Sequence, residues 1–381
     1  MPALLETYPA FPFVLDRGEL DRVYAEDGSV FYDFYGGHCV TLTGHSHPKV
    51  VAAIAAQAQT LLFYSAAARL RVRERAAEAL IAFVGAAGVS SVFFCNSGAE
   101  ANENALKLAI RQTGRSRILS FDGGWHGRTL LALSATDDPK ITDPYQAVLA
   151  PHQRIAFGDR AALDEVDLSE IAAVIVEPIQ SMSGIRMAER DWYQLLSERT
   201  RAAGCWLIFD EIQTGLGRLG APTAAEFLGV APDAISFAKG LASGVPIGAL
   251  TLSPEKAALV QAGDLGSTFG GGPLAMAALL ATLAVVNEEG LVVHAALAGA
   301  RLKRSLPGSA VAEVLGAGLL LGLRTQGPAA ALKQFLYGRN ILVGASSDPQ
   351  VLRLMPCLNI SDAALDALEA AVHDFASVRA L

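Results

Sequence analysis

The chain has 381 residues, of which 52% are hydrophobic and only 18% are charged, whereas about 25% charged residues are usual in a soluble globular protein. A chain this apolar buries enough surface to offset its ordering entropy, which excludes disorder. With 30 basic and 38 acidic residues the net charge is −8, and no run of Lys or Arg occurs. We therefore expect neither a nucleic-acid nor an anionic-membrane partner.

Two stretches without charged residues approach the length of a membrane span, Leu80–Ala99 and Leu265–Asn287. Glycines and polar residues interrupt the first, and the second keeps only about 14 apolar residues after Pro273, a length that fits a buried core helix. The N-terminus has no basic region followed by an apolar one, so no secretion signal is predicted. The four cysteines form no CxxC pair and are expected to be small core residues of a cytoplasmic protein.

Apolar, β-rich runs alternate with helix-like stretches through the middle of the chain. The predicted strands are Ser91–Cys95, Arg117–Phe121, Ala172–Val176, Cys205–Phe209, Ala234–Phe237 and Ile247–Leu252. The predicted helices are His47–Leu62, Ala99–Arg111 and Asp191–Ala203. Short continuous apolar strands that alternate with helices predict an α/β fold, in which a mainly parallel sheet is covered on both faces.

The end of the chain has a different pattern. Helices are predicted at Pro273–Val286 and Leu291–Leu306, strand-like runs at Val314–Leu323, Ile341–Gly344 and Val351–Leu354, and a final helix from Ser361. We expect a smaller α+β domain here, which the strand-like and turn-rich start of the chain joins. The predicted division is a large domain at residues 46–288 and a small domain formed by residues 1–45 and 289–381.

Three short motifs follow predicted strands and carry polar chemistry. Asn96–Asn102 opens a helix with small residues and favours a bound phosphate, although an ordinary helix cap has the same pattern. Asp210 and Glu211 end an apolar strand, where open α/β sheets bind ligands; an acid leading into a turn is the alternative. Lys239 follows another buried strand, where desolvation lowers the pKa of an amine and makes it nucleophilic. A structural lysine is the alternative there.

Taken together, a lysine, an acid and a phosphate cradle are what pyridoxal 5′-phosphate (PLP) requires. This cofactor needs a Schiff-base lysine, an acid that keeps its pyridine nitrogen protonated and a site for its phosphate. The stretches that also match a known family are Tyr32–Phe34, Gly44–Pro48, Phe94–Asn102, Trp125–Thr129, Val176–Gln180, Phe209–Gly217, Ala238–Lys239, Pro246–Ala249 and Thr268–Gly271. On these residues the chain resembles the class III (ω-amino) aminotransferases, and among them the acetylornithine aminotransferase group.

The resemblance implies PLP fold type I, with a mainly parallel seven-stranded sheet flanked by helices in the large domain. It also implies that Lys239 is the Schiff-base lysine and proton shuttle, and that Asp210 pairs with the pyridine nitrogen. The other implied cofactor contacts are Ser97, Gly98 and Ala99 in the phosphate cradle, Trp125 and Ile212 on the two faces of the ring, Gln213 at its 3-hydroxyl, and Glu177 as a support of the pocket. Thr268 would reach the phosphate of the neighbouring subunit, which implies a homodimer with shared active sites. No metal site is predicted.

Two arginines match positions that bind substrate carboxylates in the family. Arg353 corresponds to the arginine for the α-carboxylate of 2-oxoglutarate and Arg128 to the one for the other carboxylate, since arginine binds carboxylates bidentately. A surface salt bridge is the alternative for each. Met182 stands where many relatives carry a glutamate that screens the first arginine, so the usual gate is expected to be missing. His38 replaces a tyrosine or aliphatic residue at the substrate entrance and is expected to bind a substrate acyl or carboxylate group, with simple packing as the alternative.

The implied reaction moves the terminal amine of an N-acylated diamino acid to 2-oxoglutarate and gives a semialdehyde and glutamate. N2-acetylornithine or a lysine-pathway analogue is the expected donor, which places the enzyme in arginine or lysine biosynthesis. The alternatives are an ornithine or 4-aminobutyrate aminotransferase, an aminomutase or racemase, and a non-catalytic ligand-binding relative. Because Lys239 and Asp210 are both intact, the non-catalytic alternative is disfavoured.

Overall fold

The computed structural model of the protein describes residues 3–5, 7–8 and 10–379. Its strands are β1 Leu15–Glu19, β2 Arg22–Ala25, β3 Val30–Asp33, β4 Ser91–Cys95, β5 Arg117–Phe121, β6 His152–Ile155, β7 Ile171–Val176, β8 Trp206–Asp210, β9 Ala234–Phe237, β10 Gly248–Leu252, β11 Val311–Ala317, β12 Leu320–Thr325, β13 Ile341–Leu342, β14 Gly344–Ala345 and β15 Val351–Leu354. Its helices are α1 Gly36–Cys39, α2 Pro48–Thr60, α3 Arg71–Val84, α4 Gly98–Thr113, α5 Leu130–Ala135, α6 Pro139–Thr142, α7 Arg160–Asp164, α8 Arg190–Ala203, α9 Ala224–Leu228, α10 Pro254–Ala257, α11 Pro273–Glu288, α12 Leu291–Ser305, α13 Ala330–Gly338 and α14 Asp362–Arg379.

A seven-stranded sheet with the order β4-β10-β9-β8-β7-β5-β6 forms the centre of the molecule. Only β10 runs antiparallel to its neighbours, and the remaining pairs are parallel. Every residue of β7 is buried, as helices on both faces of a parallel sheet require. The predicted mainly parallel α/β sheet is therefore confirmed, with one strand, β6, that was not predicted.

Helix α4 begins directly after β4 because its first turn is strongly capped. The Ser97 hydroxyl accepts a hydrogen bond from the Glu100 backbone N–H at 3.1 Å, and the Glu100 carboxylate accepts one from the Asn96 N–H at 3.1 Å. The pair is a variant of the capping box, in which the Glu100 carboxylate bonds the residue before the N-cap Ser97. Gly114, with φ of 70°, ends the helix in the left-handed conformation. The start of α4 is thereby fixed at the carboxyl end of β4.

Two smaller four-stranded sheets contain the chain ends, in the orders β1-β2-β3-β13 and β11-β12-β15-β14. Strand β13 pairs in parallel with β3, so segments from both ends of the chain share one sheet. The run predicted at Val314–Leu323 is two strands of a hairpin rather than one, because the chain reverses at Gly318, which has a φ of 52°. The proposed domain boundaries at residues 45/46 and 288/289 stay a prediction.

Across the described residues, no single helix is both long and apolar enough to cross a membrane. Helices α11 and α12 meet the length and composition requirement only when taken together, and they are bent by 62° at the break between them. Helix α11 packs against α2 and α3. All four cysteines are buried free thiols, as expected for core residues.

Candidate functional site

A cavity of about 520 Å³ opens where α4 and the loops after β7, β8 and β9 meet. Most of the predicted site residues line it, namely Ser97, Gly98, Ala99, Trp125, Arg128, Glu177, Asp210, Ile212, Gln213 and Lys239. These residues come from five separate segments, which the carboxyl ends of the parallel strands bring to one edge of the sheet. His38, Thr268 and Arg353 lie outside the lining of this cavity.

The predicted phosphate cradle lies in the first turn of α4. The hydroxyl of Ser97 is engaged in the helix cap, so the cap and the anion site are the same structure and not alternatives. Gly98 and Ala99 lie in the first turn, where backbone N–H groups have no intrahelical acceptor. A Cβ at Gly98 would lie 2.4 Å from Cδ1 of Ile212, so the residue must be glycine for Ile212 to pack there. The result is a pair of free N–H donors beside an apolar wall.

Asp210 ends β8 and is held by a buried hydrogen-bond network. Its Oδ2 lies 2.8 Å from Nδ1 of His126 and accepts a hydrogen bond from Nδ2 of Asn102 at 2.8 Å. The Asn102 Oδ1 in turn accepts a bond of 2.6 Å from the Ser236 hydroxyl. The His126 and Asp210 side chains are almost fully buried. This network orients the carboxylate and leaves Oδ1 with one bond of 3.2 Å, from the backbone of Ile212.

The network residues His126, Asn102 and Ser236 were not predicted. His126 directly follows Trp125 in a motif that the sequence singled out, and Asn102 follows Gly98 by four residues on the same helix face. A fully buried amide on the apolar face of α4 is the signal that points to such a role. The hydrogen-bond partners of Asn102 are distant in sequence, so the spacing of residues along the chain does not predict them.

Glu211, the second acid of the motif, has a structural role. Its two carboxylate oxygens accept hydrogen bonds from the backbone N–H groups of Ala224 at 2.6 Å and Ala225 at 2.9 Å. Both donors are in the first turn of α9, so Glu211 caps that helix. Burial raises the pKa of Glu211 to about 8. Of the two acids, only Asp210 lines the cavity, at the end of the strand, whereas Glu211 has the structural role considered as the alternative.

Lys239 stands two residues after the end of β9 with a φ of 46°, in the left-handed region that non-glycine residues rarely adopt. Such backbone strain persists where the surrounding structure enforces it and is concentrated at functional sites. Burial lowers the pKa of the Lys239 amine, while the carboxylates of Asp210 and Glu177 oppose this shift. The amine therefore has the desolvated environment that favours a nucleophile.

Glu177 supports the wall of the cavity that carries Trp125. Its Oε1 accepts a hydrogen bond from the Trp125 backbone N–H at 2.8 Å, and its Oε2 accepts one from the Ser181 N–H at 3.3 Å. Burial raises the pKa of Glu177 to about 7. The indole of Trp125 lies under the Arg128 guanidinium, 5.4 Å from its central carbon. The position of the aromatic wall therefore depends on this carboxyl.

We expect Glu177→Gln to remove a pH dependence of stability that the wild type has. The folded-state pKa of about 7 exceeds the roughly 4.3 of an unfolded glutamate. The folded protein therefore holds this proton more tightly than the unfolded chain does, and stability falls as the pH rises from the unfolded pKa through the folded one. Melting temperatures of the wild type, Glu177→Gln and an exposed control, Glu78→Gln, between about pH 5 and 8 measure this. A Gln variant that parallels the wild type at every pH contradicts it.

Arg353 in β15 is a buried guanidinium, 2% exposed, with neutral partners. Its Nε donates to the Ala345 carbonyl at 2.6 Å and one terminal nitrogen donates to the Ser181 hydroxyl at 3.1 Å. Its burial, and the absence of a salt bridge within the part of the chain that the structure describes, contradict the surface salt bridge considered for it. Met182, next to Ser181, has no charge to offer; its carbonyl accepts a bond from the Ser347 N–H at 2.8 Å.

Arg128 and Thr268 are both exposed. Arg128 lies at the cavity wall, and one of its terminal nitrogens is 3.4 Å from the Tyr8 hydroxyl. Thr268 lies in the loop before α11, beside Phe269, which is 64% exposed and contacts Phe63 with ring centroids 5.0 Å apart. Thr268 does not reach the cavity of its own chain.

The residues of the cavity fit PLP. Oε1 of Gln213 is buried and has no hydrogen-bond partner among the described residues, and a ring hydroxyl would satisfy it. Asp210 presents a fixed carboxylate, Lys239 an amine without a salt bridge in the described part of the chain, and Gly98 and Ala99 free N–H donors. The cavity therefore offers an acid, an amine, an anion site and an unpaired hydrogen-bond acceptor. These groups match the functional groups of this cofactor.

Comparison with known proteins agrees with this geometry. The family model described as Aminotransferase class-III matches residues 5–375. Acetylornithine aminotransferase of Archaeoglobus fulgidus is 38% identical over 371 residues, which cover 95% of each chain. The enzyme of that name from Streptomyces coelicolor is 40% identical over 366 residues, which cover 94% of this chain and 89% of that one.

Solved structures show the same fold. Ornithine aminotransferase from Toxoplasma gondii, described with partial occupancy of PLP at its active site, has a TM-score of 0.92 and 30% identity, covering 99% of this chain and 93% of that one. Acetylornithine aminotransferase from Elizabethkingia anophelis has a TM-score of 0.83 and 28% identity, covering 97% and 96%. The predicted fold type I and the PLP cofactor are thereby confirmed. The chain belongs to the class III aminotransferase family and is a PLP-dependent transaminase.

Proposed function

We propose that this transaminase moves the terminal amine of an N-acylated diamino acid, such as N2-acetylornithine or a lysine-pathway analogue, to 2-oxoglutarate. The observation that carries the proposal is Arg353, a buried guanidinium whose positive charge acts on Lys239 and whose hydrogen-bond partners are neutral. Arg353 forms no salt bridge within the described residues, and the charge of the Glu177 carboxyl acts on it without a hydrogen bond. A ligand carboxylate in direct contact would therefore lower the cost of burying this guanidinium. A dicarboxylic acceptor supplies that carboxylate, and the exposed Arg128 is available for a second one.

When bound, PLP withdraws electrons from the substrate carbon that carries the amine. The residues of this chain bind and orient around that chemistry. Lys239 would move a proton at its Nζ, Asp210 would hold the proton of the pyridine nitrogen through its carboxylate, and Gln213 would bind the ring hydroxyl. Gly98 and Ala99 would donate to the phosphate, while Trp125 and Ile212 would line the ring and exclude water.

A panel of amino donors with 2-oxoglutarate as acceptor tests the proposal. Purified holoenzyme is expected to form glutamate fastest with N2-acetylornithine or an N-acylated lysine-pathway donor, ahead of L-ornithine and 4-aminobutyrate. Arg353→Lys keeps the charge but loses the planar fork, so its KM for 2-oxoglutarate should rise about 10-fold or more. If no acylated donor gives glutamate, the proposed function is wrong. Faster turnover of ornithine or 4-aminobutyrate would assign one of those activities instead.

We also propose that the active unit is a homodimer in which Thr268 serves the partner's site. The support is the exposed apolar surface around it, which includes Leu62, Tyr64 and Phe269, respectively 61%, 52% and 64% exposed. Exposed apolar patches of this kind mark association surfaces. A large obligate interface between two subunits would bury many of the apolar residues that this chain has in excess. The same proposal places the enzyme in the cytoplasm, where its buried free thiols stay reduced.

A subunit-mixing experiment tests the shared site. Thr268→Ala should weaken PLP binding about tenfold, since it removes a hydrogen bond to a charged group. When Thr268→Ala subunits are mixed with Lys239→Ala subunits, the hybrid dimers should contain an active site that binds PLP tightly. One site of each hybrid has the intact lysine of the first subunit and the intact threonine of the second. Tight PLP retention and activity are measured after unfolding and refolding the two proteins together. If the mixture is no better than its parts, Thr268 does not act across the interface.

A further inference from the structure

The loop after β7 contains a closed turn, residues 181–185, that is held in a strained conformation. The residues that flank it, Gln180 and Arg186, bond each other's backbone in both directions, with N···O distances of 2.9 and 3.2 Å. Ile185, at the end of the turn, has a φ of 58° and is 1% exposed. A β-branched residue rarely adopts this left-handed backbone. Such strain persists where the surrounding structure enforces it, and it is concentrated at functional sites.

The turn is seated on the pair of strands that carries Arg353. A Cβ at Gly322 of β12 would lie 3.1 Å from Cβ of Ile185, and a Cβ at Gly316 of β11 would lie 2.6 Å from its Cγ2. Both positions therefore have to be glycine for Ile185 to pack there. Gly322 is also the residue of β12 that pairs directly with Arg353 of β15. The strained turn thus contacts the sheet at the level of the buried guanidinium.

Ser181, the first residue of the turn, connects Arg353 to the wall of the cavity. It is fully buried. Its hydroxyl oxygen accepts a hydrogen bond of 3.1 Å from Nη1 of Arg353, and its O–H donates to the sulfur of Met355, a weak acceptor, at 3.8 Å. Its backbone N–H donates to Oε2 of Glu177 at 3.3 Å, while Oε1 of the same carboxyl accepts the Trp125 N–H at 2.8 Å. Since Glu177 and Trp125 both line the cavity, one serine joins the two parts of the site.

The guanidinium of Arg353 is held along one edge and free along the other. Of its five N–H groups, the one on Nε donates to the Ala345 carbonyl at 2.6 Å, and one on Nη1 donates to the Ser181 hydroxyl. Nη2 has no hydrogen-bond acceptor among the described residues. Carboxylates bind arginine through parallel N–H bonds of this planar group. The two N–H groups of Nη2 are therefore available to a carboxylate ligand.

The groups that anchor Arg353 are neutral, so they fix its orientation without cancelling its charge. An arginine side chain has many rotamers, and a ligand binds more tightly when it does not have to immobilise them. A carboxylate in the place of the Ser181 hydroxyl would also orient the guanidinium, but it would compete with the ligand for the positive charge. The nearby carboxyl of Glu177 bonds the Ser181 N–H instead and acts on Arg353 only through its charge.

We propose that Ser181 is a positioning residue, whose hydroxyl holds the Arg353 guanidinium in the orientation that binds a carboxylate of the amino acceptor. The strained turn on β12 supplies the fixed backbone from which this hydroxyl acts. The inference deepens the proposed function and rests on it, because it takes a dicarboxylic acceptor as the ligand of Arg353.

Ser181→Ala tests the proposal, because it removes the hydroxyl and leaves the backbone bond to Glu177. In the holoenzyme the KM for 2-oxoglutarate should rise about fivefold or more, since a hydrogen bond to a charged group is lost. The KM for the amino donor should stay within about twofold, and the absorbance of bound PLP should not change. Ser181→Cys, whose thiol is a weaker acceptor, should give an intermediate KM for 2-oxoglutarate.

Ser134→Ala is the matched control. Ser134 is also fully buried, and its hydroxyl bonds only the backbone of Leu130 and Ala150, at 2.8 and 2.9 Å. This variant loses a buried hydroxyl as well, so its Tm should fall, but the KM values of both substrates should stay as in the wild type. An unchanged KM for 2-oxoglutarate in Ser181→Ala, or an equal rise in the KM of both substrates, overturns the proposal.

Glutarate, a dicarboxylate that lacks the reacting keto group, separates this inference from the proposed function. Calorimetric titration of the holoenzyme should show its Kd raised about fivefold by Ser181→Ala and more strongly by Arg353→Lys. If Arg353→Lys binds glutarate as tightly as the wild type, Arg353 does not bind the acceptor, and the proposed function fails together with this inference. If Arg353→Lys weakens binding and Ser181→Ala does not, only the role of Ser181 is refuted.

Discussion

Lys239→Ala is expected to lower the rate of transamination by about 10³–10⁴-fold without unfolding the protein, since it removes both the nucleophile and the proton carrier. In the proposed function this amine is the reacting group of the cavity, and the backbone of Lys239 has a φ of 46°. Alanine removes it and leaves the hydrogen-bond network of Asp210 intact. Single-turnover rates with the best donor measure the loss. The visible absorbance that covalent attachment of PLP produces should also disappear.

Lys107→Ala is the matched control, because Lys107 is exposed on α4. That variant should keep the activity and absorbance of the wild type. Added methylamine should restore part of the activity of Lys239→Ala, since a small amine can carry the proton that the side chain no longer carries. A Lys239→Ala protein with more than about a tenth of wild-type activity would contradict the assigned role, because general acid–base catalysis alone contributes at least about a hundredfold.

Asp210→Asn is expected to cost about 10²–10³-fold in kcat, as the loss of a preorganised electrostatic contact does. The carboxylate is fixed by His126 and Asn102 at 2.8 Å each, and an amide cannot hold a proton on the pyridine nitrogen as a carboxylate does. The amide group of the variant can also turn its own N–H group toward the donors Asn102 and His126, which disturbs the hydrogen-bond network. We therefore expect kcat to fall in both half-reactions, with little change in the KM for 2-oxoglutarate.

Asp16→Asn, at an exposed position of β1, controls for the loss of one charge and should behave as the wild type. Asn102→Ala should give a smaller loss than Asp210→Asn, because it removes one support of the carboxylate and not the carboxylate itself. Equal kcat values for Asp210→Asn and the wild type would show that the carboxylate does not act on the cofactor.

The sequence predicts the sheet well wherever strands are apolar and buried. The bounds of β4, β5 and β9 agree with the predicted runs, because the centre of a parallel sheet requires continuous apolar residues. Strand β6, His152–Ile155, was missed because it forms one edge of the sheet and its residues are only partly buried. An edge strand does not need the apolar pattern that identifies a central one.

The candidate site was predictable where one motif contains the chemistry and not where it depends on distant partners. The cradle at Gly98 and the strand ends at Asp210 and Lys239 are local patterns. The hydrogen bonds from Asn102 to Asp210 and from Ser236 to Asn102 join residues 108 and 134 positions apart, which no spacing rule shows. The neutral hydrogen-bond partners of Arg353, Ala345 and Ser181, likewise belong to segments that only the fold brings to it.

The order of the central sheet also determines when the cofactor site can form during synthesis. Strand β4, which leads into the phosphate cradle, is an edge strand whose only neighbour in the sheet is β10, with Cys95 paired to Gly248. The strands from β5 to β9 can pair with one another while β4 still waits for its partner. Closing a loop of this length is slow and leaves apolar surface exposed. In a nascent chain β4 therefore stays without its sheet partner until β10 has left the ribosome, and this delay is a period of exposure to aggregation.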